Sequence, residues 1–261
     1  MEEKMKNKDY PLLKLENIHL SFGGVVALDD VSIDIGQEGI FSIIGPNGAG
    51  KTCIFNVING FYRPQKGSVH FDGRVITKVG SAKIARLGVA RTFQNIELYT
   101  GLTTVENLMA ARHMFIKSTF LEGGIYFGRC LKQEIAHREA VERVIKFLEI
   151  EDIRNVEVGL MSYGLRKRVE LGRALAMEPK LLLLDEPMAG MNMEEKEDIA
   201  RFVLDIKEEK KITVLMVEHE MDVVMDISDY IFALDFGKKI AQGLPETVRN
   251  DESVIKAYLG E

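Results

Sequence analysis

The chain predicts an α/β fold: buried strands alternating with helices form a core, an antiparallel β part lies toward the start, and a helical insert interrupts the middle. Three observations carry this expectation. The apolar run Gly39 to Ile44 (GIFSII) feeds the glycine-rich GPNGAGKT, Gly45 to Thr52, and a helix-like run follows. Two further apolar runs, LLLLDEP (Leu181 to Pro187) and ITVLMVEH (Ile212 to His219), flank a charged helical segment from Glu194 to Lys211, the pattern of buried parallel strands joined by helices. Between these blocks, from about Thr103 to Met177, the sequence reads as helical.

Each element follows from local pattern. Leu13, Leu15, Ile18 and Leu20 roughly alternate with polar residues, as do Val31, Ile33 and Ile35, so half-buried antiparallel strands are expected there. The FDG triplet, Phe71 to Gly73, marks a tight hairpin turn. VENLMAARHMF opens the helical block, and KQEIAHREAVERVIKFLEI continues it with Ile135, Val141, Val144, Ile145 and Leu148 at spacings of three and four. Gly159 and the Glu178-Pro179 step are the clearest internal boundaries, and no linker, repeat or low-complexity tract interrupts the chain.

Bulk properties narrow the class. With 46% hydrophobic residues in 261, the chain can bury a sizeable core and is not disordered. A net charge of -6 gives no global positive field for nucleic acid, and the Arg166 to Arg168 run is too short to make a basic patch. Cys53 and Cys130 are far apart in sequence and suggest neither a disulfide framework nor a zinc site, which fits a reducing cytoplasm. The five histidines are scattered. The N-terminal MEEKMKNKDY lacks the apolar stretch of a signal peptide, and no window approaches the roughly 18 consecutive apolar residues of a membrane span.

The chemistry is concentrated in three segments. In Gly45-Pro46-Asn47-Gly48-Ala49-Gly50-Lys51-Thr52 the glycines let backbone N-H groups close around phosphate at a helix N-terminus. Lys51 reaches the β and γ phosphates, and Thr52 supplies a hydroxyl for Mg²⁺. Asp185 and Glu186 end a buried apolar strand, at the edge where open α/β sheets bind ligands. Asp185 is expected to hold Mg²⁺ through water, and Glu186 to orient and deprotonate an attacking water. Ser162 reads as the N-cap of a helix, and with Gly164 it makes a second anion site. One nucleotide has one terminal phosphate, already enclosed on one side by the first loop.

MSYGLRKRVELGRALA, Met161 to Ala176, resembles the signature segment of the ATP-binding subunits of ABC transporters, and the resemblance covers essentially the whole chain. It implies a P-loop ATPase core of the RecA-like kind, with its antiparallel β part, over about residues 10–93 and 178–243, a helical subdomain over about 95–177 and a C-terminal extension over 244–261. It implies ATP and Mg²⁺ as ligands, with Ser162 and Gly164 closing on ATP held by a second ATP-binding subunit. Phe22 falls where the family places an aromatic ring on adenine, Gln94 where a glutamine senses metal and attacking water, and His219 where a histidine bonds the γ phosphate. Cys53 stands where a second hydroxyl is frequent, and a small buried side chain is expected there.

Two positions depart from the pattern. Leu165 replaces the signature glutamine, and Asn192 stands where a loop aspartate is common. The SYG signature, the AGMN loop, the EHEMDVVM segment and the ending GLPETVRNDESVIKAYLGE resemble the subunits of branched-chain amino acid importers, a type that also serves urea and other small solutes. The resemblance therefore implies membrane permease partners, a solute-binding protein reached indirectly, and a place at the cytoplasmic face of the cell membrane. The insert from Phe115 to Cys130, with Phe120 and Phe127, is expected either to offer an apolar docking surface for the permease or to pack inside the helical subdomain. A soluble ABC ATPase not coupled to transport is the alternative; a GTPase lacks support, because no N-K-x-D segment occupies a suitable later loop.

Overall fold

The computed structural model describes residues 10–115 and 129–259. Two sheets organise them. The first is antiparallel, in the order β2-β1-β4-β5, with β1 at Leu13–Phe22, β2 at Val25–Ile35, β4 at Lys66–Phe71 and β5 at Arg74–Val75. Its alternation is the expected one: Leu13, Leu15, Ile18 and Leu20 are buried on β1, and Val31, Ile33 and Ile35 on β2. The β4-β5 hairpin turns at Asp72 and Gly73, both at positive φ (48° and 73°), the backbone of a two-residue turn matched to strand twist.

The second sheet has the order β10-β9-β3-β8-β7-β6. Here β3 (Ile40–Ile44), β6 (Val89–Arg91), β7 (Leu181–Asp185), β8 (Thr213–Val217) and β9 (Tyr230–Asp235) run parallel, and β10 (Lys238–Gly243) closes one edge antiparallel to β9. All five residues of β3, β7 and β8 are buried. That is why these strands read as unbroken apolar runs: both faces are covered.

Nine helices lie among the described residues: α1 (Lys51–Ile58), α2 (Ser81–Leu87), α3 (Thr104–Arg112), α4 (Arg129–Phe147), α5 (Tyr163–Leu175), α6 (Met193–Lys210), α7 (Met221–Ile227), α8 (Pro245–Arg249) and α9 (Glu252–Leu259). The helical block begins at a capping box: Thr103 and Glu106 satisfy each other's backbone N-H. Helix α4 packs Val141 and Ile145 against α5, and Leu148 sits just past its end. Ile135, counted with that apolar face in the sequence, is instead 47% exposed, because among the described side chains of α4 burial in the core begins only at Ala140. Helix α2 lacks a strong sequence signal, since only Ile84 of its seven residues is buried.

Two apolar clusters fill the interior. One joins the helical block to α6 and one face of the parallel sheet; the other joins the antiparallel sheet and α1 to the opposite face. No helix among the described residues is long and apolar enough to cross a membrane. The anticipated docking residues Phe120 and Phe127 lie outside the described residues. Phe115, at the edge of that segment, sits under the Arg112 guanidinium at 5.4 Å.

Candidate functional site

Four neighbouring strands, β3, β8, β7 and β6, deliver the candidate residues to one sheet edge. They are parallel, so their C-terminal ends coincide. The glycine-rich loop leaves β3, His219 follows β8, Asp185 and Glu186 end β7, and Gln94 follows β6. Ligands of such sheets bind at this edge.

The loop is built by glycines at positive φ, 147° at Gly45, 84° at Gly48 and 101° at Gly50. At Gly45 even a methyl group is excluded, since a Cβ would overlap the Leu234 carbonyl oxygen. Helix α1 starts directly after Gly50 with no side-chain cap and no acidic residue in its first turn, so its N-terminal N-H groups are left for an anion. Lys51 is 6% exposed and folds back, its Nζ donating to the carbonyls of Gly45 (2.6 Å) and Pro46 (3.0 Å). Burial lowers its pKa, while the nearby Glu186 and Asp185 carboxylates pull the other way. Those two carboxylates and the lysine therefore share one electrostatic neighbourhood.

Glu186 is the hub. Its backbone is left-handed, φ 49°, a conformation unfavourable for a residue bearing a Cβ. Gln94 Nε2 donates to its Oε2 at 2.8 Å, and His219 Nε2 lies 2.7 Å from its Oε1. In its Nε2-H tautomer the histidine donates to the carboxylate. Asp185 is 4% exposed and held by Arg91, whose Nη2 is 2.6 Å from Oδ2 while Nη1 donates to Asn56 at 2.7 Å. Glu218, at the end of β8, is also buried. Its oxygens accept from the N-H groups of Met188 (2.8 Å) and His219 (3.0 Å), and burial raises its pKa.

Three expected residues make no described contact with this cluster. Phe22 is 47% exposed at the end of β1, its ring edge-on to Tyr62 at 4.9 Å between centroids. Ser162 is the N-cap of α5, its Oγ accepting from the Leu165 N-H at 3.4 Å. Gly164 faces α6: a Cβ there would collide with the Glu195 carboxylate. A cleft of about 250 Å³ opens beside it, lined by Gly164, Leu165, Arg168, Asn192 and Glu195 among others. Among the described contacts, no hydrogen bond or ion pair links Ser162 or Gly164 to the phosphate loop. Asn192 caps α6 in a capping box with Glu195, a role asparagine fills as well as aspartate.

Cys53 is only half-buried, contrary to the sequence expectation, because it follows the exposed Thr52 on the first turn of α1, ahead of the buried Ile54 and Phe55; burial still raises its thiol pKa. Sequence reasoning missed Arg91, Tyr62, Glu218 and Tyr258. The Tyr258 hydroxyl accepts the Gly45 N-H at 2.8 Å, which brings α9 onto the first residue of the loop.

The same donors bear on Mg²⁺. Among the described residues no group of three or more His, Cys, Asp or Glu could hold a metal ion alone. The hydroxyl of Thr52, the amide of Gln94 and the Asp185 carboxylate are oxygen donors, few in number. That suits an ion which keeps waters and takes its other ligands from phosphate.

Comparison with known proteins places this arrangement. The ABC transporter family model matches residues 28–189, and a branched-chain amino acid ATP-binding cassette transporter model matches residues 238–261. The high-affinity branched-chain amino acid transport ATP-binding protein BraF of Pseudomonas aeruginosa is 40% identical over 254 residues, covering 96% of this chain and 98% of that protein. LivG of Escherichia coli, of the same description, is 36% identical over 254 residues, with coverage of 96% and 98%. Among solved structures, a nucleotide-free ATP-binding cassette from an ABC transporter superposes with a TM-score of 0.82 at 34% identity, covering 96% of this chain and 99% of that one. The ADP conformation of an ATP-binding cassette of an ABC transporter gives 0.82 at 33% identity, with coverage of 96% and 99%. The chain belongs to the ABC transporter family, as an ATP-binding subunit whose ATPase activity is coupled to transport.

Proposed function

We propose that this chain hydrolyses ATP to power uptake of branched-chain amino acids, or a similar small solute, through permease subunits that it meets at the cytoplasmic face of the membrane. A solute-binding protein acts on the far side of the permease, without direct contact. The observation that carries the catalytic part is Glu186, set at the end of β7 between Gln94 and His219. The match of residues 238–261 to the branched-chain amino acid cassette model favours that solute class over a soluble ABC ATPase.

In the reaction, phosphate oxygens of ATP take the N-H groups of the loop from Gly45 to Cys53, and Lys51 turns from the Gly45 and Pro46 carbonyls to the β and γ phosphates. Thr52, Gln94 and, through water, Asp185 would hold Mg²⁺, which would offset charge on the phosphate oxygens. Glu186 takes a proton from the water that attacks the γ phosphorus, and ADP and phosphate leave. His219 and Gln94 keep the carboxylate aimed, and His219 reaches the γ phosphate. Phe22, exposed at the strand end, stacks on the adenine.

Ser162 and Gly164 make no described contact with this cluster, which supports their serving a second site: the ATP of another ATP-binding subunit. Contacts to one γ phosphate from two subunits exist only in the closed dimer, so ATP favours closure by its differential affinity.

Glu186→Gln keeps the shape and loses the base. Size-exclusion chromatography with ATP is expected to show a dimer for this variant, and a monomer with ADP. An ATP-loaded variant that stays monomeric, alone and with its paired permease, refutes the closure mechanism. Leucine uptake by vesicles carrying the reconstituted transporter tests the solute class.

A further inference from the structure

Two charged side chains on α5 are buried, and the reaction above leaves them without a role. Lys167 is 4% exposed and Glu170 is 2% exposed. Both hold the backbone that presents Gln94. Lys167 Nζ donates to the Phe93 carbonyl at 3.3 Å and the Gln94 carbonyl at 3.0 Å. The Phe93 N-H donates to Glu170 Oε1 at 3.2 Å, and the second carboxylate oxygen is 3.7 Å from Lys167 Nζ. With Thr92, Leu184 and Pro187 they line a small cavity against the acidic strand β7.

Stability alone does not favour this choice, because an apolar pair of similar volume is often as stable as a buried ion pair. The arrangement has a geometric use. Past Thr92, whose N-H still bonds Leu183 on β7, the chain leaves β6, and three polar groups of Phe93 and Gln94 are fixed by α5. Gln94 in turn reaches Glu186 at 2.8 Å. The N-terminal end of α5 is capped by Ser162, about one and a half turns before Lys167. A shift of the helix therefore moves the clamp and the Ser162 end together.

We propose that Lys167 and Glu170 are positioning residues for hydrolysis: they place Gln94, and through it Glu186, according to the position of the helix that begins at Ser162. This rests on the reading of Gln94 and Glu186 given above. The loop and Lys51 are not held by the clamp, so affinity for ATP without Mg²⁺ is preserved when it is removed, and turnover falls.

The test uses the full chain. The double substitution Lys167→Met with Glu170→Leu removes both charges at once and leaves no unpaired buried ion. Its kcat is expected to fall about tenfold or more, on the scale set by small misplacements of catalytic groups. Its dissociation constant for a fluorescent ATP analogue, measured without Mg²⁺, stays within about twofold of wild type. Glu170→Gln keeps an acceptor for the Phe93 N-H and is expected to recover most of the turnover. In a Gln94→Ala background the double substitution has no further effect on kcat, because the group it positions is gone; a merely structural role would lower kcat again. Unchanged kcat in the double variant, or equal loss of affinity and turnover, overturns the proposal. If Gln94→Ala and Glu186→Gln also retain full turnover, the underlying assignment has failed; if they lose turnover and the double variant does not, only the clamp has failed.

Discussion

Replacing Gly164 by alanine probes the seam between the start of α5 and the start of α6. The added Cβ overlaps the Glu195 carboxylate, with its Cδ 2.5 Å away. Glu195 is already occupied: its Oε2 accepts the Asn192 N-H at 3.1 Å, while its own N-H donates to Asn192 Oδ1 at 3.0 Å. The obstacle is the far end of a flexible side chain, so it swings away, and the variant loses one hydrogen bond worth about 0.5–1.5 kcal/mol. Alanine gains up to about 1 kcal/mol of helix propensity over glycine, somewhat less in a first turn. The two nearly cancel in the wild-type background.

With Glu195→Ala already present there is nothing to displace, and the same Gly164→Ala change should stabilise by about 0.5–1 kcal/mol. The expected coupling is about 1 kcal/mol, or roughly 2–4 °C in Tm. Urea unfolding of the four proteins, followed by circular dichroism, measures it. Additivity within about 0.3 kcal/mol, or a loss above about 3 kcal/mol from Gly164→Ala alone, would refute the reasoning, the second because the backbone itself would then have to move.

Arg91→Ala leaves the buried Asp185 carboxylate without its cation, and a loss of about 3–5 kcal/mol is expected by chemical denaturation. Adding Asp185→Asn should restore much of it; no recovery would mean that Arg91 acts through packing on Phe55 and Phe93 instead. Glu218 gives a pH signature. Its folded-state pKa is raised by burial, so the stability it contributes is present below the unfolded value of about 4.5 and is lost as pH rises through the raised folded value. A tenfold difference in proton affinity between the folded and unfolded chain is worth about 1.4 kcal/mol. The Tm of wild type minus that of Glu218→Gln should therefore fall as pH rises above about 4.5, and a flat difference would contradict the assignment.

Local pattern made the phosphate loop, the buried strands β7 and β8 and the Ser162 cap legible, because each is written in consecutive residues. The partners were not. Arg91 is 94 positions from Asp185, and a basic residue ending a three-residue strand carries no sign of what it will meet. Lys167 belongs to a run that the sequence marks only as too short for a basic patch, and the packing of α5 against the Gln94 segment buries it. Asn192 looked like a lost charge, whereas its backbone position asks for an N-cap, which asparagine supplies. Ile135 had the right spacing but is left 47% exposed among the described residues, since periodicity names a face without saying how far the core extends along it.

The Tyr258 hydroxyl on the Gly45 N-H has a practical side. It joins the last helix to the first residue of the loop, 213 positions away in sequence. A purification tag or fluorescent fusion appended after Glu261 would hang from that joint, and any drag on α9 would be felt at the phosphate loop. Handles for tethering, labelling or immobilising this protein belong elsewhere on its surface, and binding data gathered through a C-terminal tether would mix nucleotide affinity with the stiffness of the tether.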